Sequence, residues 1–135
     1  MNRPEDYGIT NYKWRGKLLD VDGYVNLSNK NLSKLPFKFG KVSGSFYCRW
    51  NQLKTLEGAP KTVGGDFDCR WNQLKTLEGA PKEVGGSFSC YRNQLKTLEG
   101  APKIVKGDIV VDDNLESKIP YYINVNQVID YLMED

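Results

Sequence analysis

The sequence predicts a β-solenoid, a stack of short coils that share one continuous core. The phrase CRWNQLKTLEGAPK occurs at 48–61 and again at 69–82, and CYRNQLKTLEGAPK follows at 90–103. Apolar residues recur every 21 residues, and within each copy they alternate with polar residues as in a β-strand. A fixed period with matching apolar positions is typical of solenoids, in which each coil contacts only its neighbours.

Equivalent positions of the copies form columns along the predicted stack. They are Phe46, Phe67, Phe88 and Ile109; Cys48, Cys69, Cys90 and Val111; Asn51, Asn72, Asn93 and Asn114; Leu53, Leu74 and Leu95; Leu56, Leu77, Leu98 and Ile119; and Val42, Val63, Val84 and Val105, preceded by a weaker copy with Val25, Leu27, Leu32 and Leu35. The columns predict about five coils over residues 25–119. A coil this short excludes helical repeats, which need about 33 residues or more.

Each coil is expected to contribute one strand to a single parallel sheet. Phe46 and Cys48 point inward and alternate with polar neighbours, and Gly44 precedes the strand at a turn. The segment 57–61 combines glycine and proline, which favours an extended, turn-like path on the opposite side of the coil. The predicted fold class is therefore a β-rich solenoid.

Both ends of such a stack need caps, because an open solenoid exposes apolar surface and unpaired strand edges. Residues 18–27 contain Asp22-Gly23 between two apolar runs, which predicts a β-hairpin. Tyr7, Tyr12 and Trp14 are expected to help it to cover the first coil.

At the C-terminal end, Asn124 is a suitable N-cap for a helix over 125–133. The apolar residues with helical spacing in this segment are Val125, Val128, Ile129 and Leu132. The predicted organisation is one domain, 1–135, with an N-terminal cap at 1–23, repeats at 24–119 and a C-terminal helical cap at 120–135.

Composition narrows the class of function. The 135 residues include 19 Lys and Arg against 17 Asp and Glu, so the net charge of +2 is low for a nucleic-acid-binding protein. The chain has no histidine, the commonest general base and metal ligand, and it has neither a nucleophile elbow nor a P-loop. We therefore expect a protein that is not an enzyme and binds no cofactor.

The sequence also predicts a cytoplasmic protein that does not interact with membranes. No apolar run approaches the roughly 20 residues of a membrane helix, and residues 1–17 lack the apolar core of a signal peptide. Three cysteines are an odd number, which fits a reducing compartment better than a disulfide scaffold.

Two polar columns are expected to be structural. Cys48, Cys69 and Cys90 could form a thiolate cluster for a metal, but Leu27 and Val111 occupy the same column, which favours packing. The inward asparagines are expected to bond backbone groups left unpaired where the chain leaves the strand.

Differences between the copies fall on columns next to the inward strand residues. These columns are Ser45, Asp66, Ser87 and Asp108; Tyr47, Asp68, Ser89 and Val110; Arg49, Arg70, Tyr91 and Asp112; and Trp50, Trp71, Arg92 and Asp113. The first three columns should face outward on the sheet, and the fourth should lie at its rim. Arginines and large aromatic residues dominate interface hot spots. The predicted partner-binding residues are Tyr47, Arg49, Trp50, Asp68, Arg70, Trp71, Tyr91 and Arg92.

An alternative interpretation gives these side chains a structural role. The tryptophan rings could lie flat over the strand exits and shield them, with arginines stacked on the rings. In that case the patch would protect the solenoid and bind no partner.

The strand segments FYCRWNQLKTL, FDCRWNQLKTL and FSCYRNQLKTL resemble the leucine-rich repeat, L-x-L-x-x-N-x-L. The longer unit GG.F.C..NQLKTLEGAPK.VGG resembles the short repeats of small proteins from tailed bacteriophages, over residues 21–119. This resemblance implies a leucine-rich-repeat-like stack and the cytoplasm of an infected bacterium as the setting. It implies no defined activity.

Three classes of function follow. The first is a non-catalytic protein-binding module, encoded by a phage, that inhibits a bacterial host protein of defence or metabolism. The second is a nucleic-acid or nucleotide binder that uses the same Arg and Trp columns, and a structural virion component is a further alternative. An enzyme is disfavoured because the paired carboxylates, Asp66 with Asp68 and Asp112 with Asp113, lie on an open sheet without a predicted pocket.

Overall fold

A computed structural model describes residues 2–112, 114 and 115, and the backbone of 124–131. It shows a β-solenoid of about four turns with a mostly parallel sheet and almost no helix. A short 3₁₀ helix at Pro4–Tyr7 comes first. The strands are β1 Tyr12–Arg15, β2 Leu18–Val21, β3 Val25–Asn26, β4 Phe39–Val42, β5 Phe46–Tyr47, β6 Thr62–Val63, β7 Phe67–Asp68, β8 Glu83–Val84, β9 Phe88–Ser89, β10 Ile104–Asp112 and β11 Asn124–Tyr131.

Each coil contributes two short strands, where the sequence predicted one. The front stack consists of β3, β5, β7 and β9, and the rear stack consists of β2, β4, β6 and β8. Within each stack the strands are parallel, and Phe46, Phe67 and Phe88 lie opposite one another. The rear strands were missed because β6 and β8 are only two residues long and end at a glycine pair, which leaves no room for visible alternation.

Strand β10 joins the two stacks into one sheet. Its first residues pair with β8, and Ile109 and Val110 pair with β9. In the preceding coil Gly85 forms the corner between the stacks, and a Cβ there would lie 2.3 Å from the carbonyl oxygen of Gly64. The equivalent residue in the last coil is Lys106, which has a Cβ, and here the chain runs on as one strand.

The core is a set of side-chain ladders that run along the stack. The rings of Phe46 and Phe67 are stacked with centroids 5.3 Å apart, and Phe67 and Phe88 repeat this contact at 5.6 Å. Cys48 and Cys69 are fully buried beside them, as is Cys90. The packing role predicted for the cysteines is confirmed.

The asparagine column bonds the turns of successive coils. The side-chain amide of Asn72 donates to the carbonyl oxygens of Cys48 and Cys69, both at 3.0 Å, and its oxygen accepts from the Leu53 N–H at 3.0 Å. Asn51 and Asn93 make equivalent bonds one coil away. This confirms the predicted backbone-capping role, because these groups would otherwise be buried without partners.

The predicted hairpin over 18–27 is wrong, because the N-terminal hairpin is formed by β1 and β2, which pair antiparallel. Asp22-Gly23 lies instead at a corner of the solenoid, where Gly44 N–H donates to the Gly23 carbonyl oxygen at 2.9 Å. The corner therefore follows the 21-residue period like those of later coils. Tyr7 and Trp14 pack edge-on against Phe37 at this end of the stack.

The predicted C-terminal helix over 125–133 is also wrong. Residues Asn124–Tyr131 form β11, which pairs in parallel with β10. The last strand of a parallel stack has unpaired backbone groups at its edge, and the β-branched residues Val125, Val128 and Ile129 favour the strand that pairs with them. Ile119, where the predicted fifth coil ends, lies outside the described residues, as do Leu132 and Met133 of the predicted helix.

Candidate interaction surface

The rim column at the exit of the front strands has a left-handed backbone in each described coil. Asn29, Trp50, Trp71 and Arg92 have φ values of 56°, 58°, 58° and 59°. Asparagine tolerates this conformation, whereas other residues with a Cβ lose about 1–2 kcal/mol in it. Two tryptophans therefore occupy positions that the fold itself would fill more favourably with asparagine or glycine.

The two tryptophans form one stack along the solenoid axis. Their ring centroids lie 4.4 Å apart and their planes differ by 9°. The guanidinium carbon of Arg92 lies 4.9 Å from the ring centroid of Trp71 and continues the stack in the next coil. Trp50 is 49% exposed, so a large apolar ring faces solvent at the other end of this stack.

Next to this stack, Asp68 holds two arginines. Its Oδ2 lies 3.0 Å from Arg49 Nη1 and 3.4 Å from Arg70 Nε. Arg49 also covers the ring of Tyr47, and Arg70 covers the ring of Tyr91 while its Nη1 donates to the Tyr91 hydroxyl oxygen. These contacts hold the two arginines against the front sheet.

We call the eight residues predicted from the sequence the Arg-Trp patch, and the structure brings them together on one surface. Trp50 is exposed and five others are partly exposed, whereas Asp68 and Tyr91 are buried under arginine side chains. Asp68 and Tyr91 are thus positioned to orient Arg49 and Arg70. They offer little surface to a partner.

The shielding interpretation fits part of this geometry. Arg92 lies over the outer face of Trp71, as that interpretation expects. Trp50, however, exposes about half of its surface, which shielding alone does not require.

Two residues outside the predicted partner-binding set shape the patch. Asn29 stands in the rim column one coil before Trp50, and its residue type was a signal for left-handed backbone. Asp112 accepts the Arg92 N–H with its carboxylate oxygens at 3.1 and 3.2 Å, where Trp71 N–H uses the carbonyl oxygen of Tyr91. Asp113, the last predicted member of the rim column, lies outside the described residues.

A groove of about 640 Å³ runs along the rear stack. Lys13, Lys41 and Lys106 line it together with carboxylates, so its charge is balanced. Two of those carboxylates already have partners within the protein, since Asp20 is paired with Arg15 and Asp22 accepts from the Ser43 hydroxyl. The rear groove therefore presents no excess of positive or negative charge to a ligand.

The cysteines have the properties of core residues. Burial raises the pKa of the Cys48, Cys69 and Cys90 thiols well above the ordinary value, so they stay neutral. In the part of the chain that the structure describes, no three His, Cys, Asp or Glu side chains are grouped so that they could hold a metal ion. Nor do these residues include a helix with the length and apolar character required to cross a membrane.

Comparisons with protein-family models, with curated proteins and with solved structures found no match for this chain. What the structure shows is a repeat solenoid with coils about 21 residues apart.

Proposed function

We propose that the protein is a non-catalytic binding module that recognises a protein partner through the Arg-Trp patch. The observation that carries the proposal is the pair Trp50 and Trp71, which keep a costly left-handed backbone and a common stack while Trp50 remains half exposed. Residues held in unfavourable backbone conformations concentrate at functional sites. Folding alone would be served better by asparagine, the residue at position 29.

The charged part of the patch supports recognition of a protein. Arg49 and Arg70 expose about a third of their side chains, at 33% and 31%, although Asp68 pairs with both. Preorganised arginines and tryptophans are the residues that contribute most to protein interfaces. Acidic groups of a partner would pair with these arginines and its apolar groups would pack on the tryptophans, whose side chains are already ordered.

The resemblance to phage repeat proteins suggests where this binding would take place. A phage-encoded module in the cytoplasm of an infected bacterium would bind a host defence or metabolic protein and inhibit it by covering its working surface. A structural partner in the virion would use the same patch, since either role needs only a binding surface.

A nucleic-acid partner is the second candidate, because two stacked rings and three arginines resemble a platform for bases and phosphates. The net charge of +2 and the presence of Asp66 on the front sheet favour a protein partner instead.

The experiment is affinity capture from nuclease-treated bacterial lysate with the wild type and a Trp50→Asn, Trp71→Asn double variant. Asparagine suits the left-handed backbone, so the variant should fold. A Lys54→Ala, Lys75→Ala variant changes exposed residues of the same coils and serves as the matched control. We expect one protein to bind the wild type and the lysine control and to be lost from the tryptophan variant. Its binding to purified wild type is then measured by calorimetry.

Equal capture by all three proteins would overturn the patch assignment. Capture that is seen only in a parallel experiment without nuclease, together with strongly salt-dependent binding of single-stranded nucleic acid to the purified protein, would establish the nucleic-acid alternative.

A further inference from the structure

The tryptophan stack is closed at one end and open at the other. Along the rim column the order is Asn29, Trp50, Trp71 and Arg92, one residue per coil. Arg92 covers the far face of Trp71. Among the described residues no ring or arginine stacks on the other face of Trp50, because its neighbour in the column is the short side chain of Asn29. The half-exposed Trp50 indole therefore adjoins a space that no stacked group of the described residues fills.

The geometry of the stack defines what fits this space. Successive planar groups lie 4.4 and 4.9 Å apart, close to the separation of stacked aromatic groups. A planar group brought by a partner could occupy the equivalent place above Asn29 and extend the stack by one step. A branched aliphatic side chain would leave part of the Trp50 face uncovered.

The charges around Trp50 select among planar groups. Arg49 precedes it in the chain and Lys30 follows Asn29 on the neighbouring coil, both with exposed surface. The one carboxylate of the Arg-Trp patch is that of Asp68, which keeps only 10% of its side chain exposed and is paired with two arginines. A guanidinium that a partner brings from solution gains less here than an aromatic ring with acidic neighbours, whereas one attached to the chain itself is held in place by the backbone.

We propose that the open face of Trp50 is a slot for one aromatic side chain of a partner segment that carries Asp or Glu beside that ring. This inference rests on the proposed protein-binding function and specifies the chemistry of the partner. A protein segment is favoured over a polynucleotide because the basic region is short. Asp66 and Asp108 on the front sheet would oppose a longer run of phosphates.

The test titrates the full-length, isotope-labelled protein with blocked peptides while the indole N–H resonances of its tryptophans are followed by NMR. The probe is Asp-Glu-Phe-Glu-Asp. Its controls are Asp-Glu-Leu-Glu-Asp, which keeps the charge without the ring, and Lys-Arg-Phe-Arg-Lys, which keeps the ring with the opposite charge. We expect the acidic Phe peptide to shift the Trp50 resonance and to bind roughly two- to ten-fold more tightly than the Leu peptide, the gain typical of a stacked ring.

Asn29→Arg gives the decisive variant. Arginine is accepted in this column, as Arg92 shows with a φ of 59°, and a guanidinium at 29 would cover Trp50 as Arg92 covers Trp71. The slot predicts that Asn29→Arg removes the preference for the Phe peptide over the Leu peptide. Simple charge attraction predicts that added positive charge strengthens the binding of both. Asn29→Gly leaves the slot open and should keep the preference.

Three results would each contradict the proposed slot. The protein could bind the Phe and Leu peptides with equal affinity, or the preference for Phe could survive in Asn29→Arg. The third result is that oligothymidylate shifts the Trp50 resonance and the acidic Phe peptide does not. Lysate capture with Asn29→Arg separates this result from the wider proposal. A partner that is lost with the tryptophan variant but retained by Asn29→Arg leaves the binding function standing and excludes the slot. A partner retained by both variants excludes both proposals.

Discussion

The indole rings of Trp50 and Trp71 lie parallel with their centroids 4.4 Å apart, and both residues have a φ of 58°. The same left-handed turn thus places two large rings in register on successive coils. Because the backbone is left-handed at both residues, the stack combines a favourable ring contact with an unfavourable backbone. Trp50 leaves about half of its surface exposed, and this exposure together with the left-handed backbone is the basis of the proposed recognition role.

Trp50→Asn should change stability only modestly. The variant loses a ring contact of about 0.5–1.5 kcal/mol and the burial of about half of the indole, and it relieves a left-handed backbone cost of about 1–2 kcal/mol. We expect the free energy of unfolding in denaturant to fall by no more than about 2 kcal/mol. A loss of several kcal/mol would instead support the interpretation that the ring shields the strand exit.

Asn72→Ala should destabilise the fold, because it removes the partner of the Leu53 N–H and of the Cys48 and Cys69 carbonyl oxygens. Unsatisfied buried backbone groups predict a loss of about 1–3 kcal/mol. Urea unfolding of the variant is compared with that of Gln94→Ala, an exposed position in the next coil that should change little. Similar stability of the two variants would contradict the capping role.

Gly85→Ala tests the corner between the two stacks. The added Cβ would lie 2.3 Å from the carbonyl oxygen of Gly64, so the neighbouring coils must separate. We expect a loss of at least about 1 kcal/mol in the free energy of unfolding. Lys106→Ala changes the equivalent position of the last coil, where a Cβ is already present, and is the control. A stable Gly85→Ala variant would show that the corner can relax.

The three cysteines should not react in the folded protein. Burial raises the pKa of each thiol, so almost no thiolate forms at about pH 8, and the reagent has no access. We expect iodoacetamide to label Cys48, Cys69 and Cys90 only after denaturant unfolds the chain, as followed by intact-protein mass spectrometry. Rapid labelling of one cysteine under native conditions would show that its coil opens locally.

Asp20 should make stability depend on acidity. The Arg15 guanidinium, followed by the Lys41 backbone N–H, lowers the pKa of this carboxyl below the ordinary value of 3.8. Because the pKa of Asp20 is lower in the folded than in the unfolded protein, its ionised carboxylate stabilises the fold. This stabilisation is fully present above the pKa of the unfolded state and is lost as the pH falls through the pKa of the folded state. Asp20→Asn should therefore lower the melting temperature near neutral pH, and the difference should vanish in acid. Glu57→Gln, an exposed change of the same charge, is the control, and a difference independent of pH would refute this explanation.

The residues of the candidate interaction surface could be chosen from the sequence, but the way their side chains pack could not. Differences between nearly identical copies mark the outward columns, so Arg49, Trp50, Arg70 and Trp71 could be chosen without coordinates. That Asp68 and Tyr91 lie buried beneath arginines depends on how side chains of neighbouring coils fold over one another. The open face of Trp50 likewise follows from the coil beside it and not from its own repeat.

The sequence by itself determined the 21-residue coil, its inward phenylalanine and cysteine ladders and its asparagine turns, because each coil repeats the same local pattern of apolar and polar residues. The tertiary structure decided the elements that depend on an edge or on a close approach between coils. Leu18–Val21 pairs with Tyr12–Arg15, Asn124–Tyr131 pairs with β10, and Ile104–Asp112 runs as one strand. These pairings depend on which backbone groups remain unpaired and on how closely neighbouring coils can pack. The local periodicity of the sequence contains no information on either.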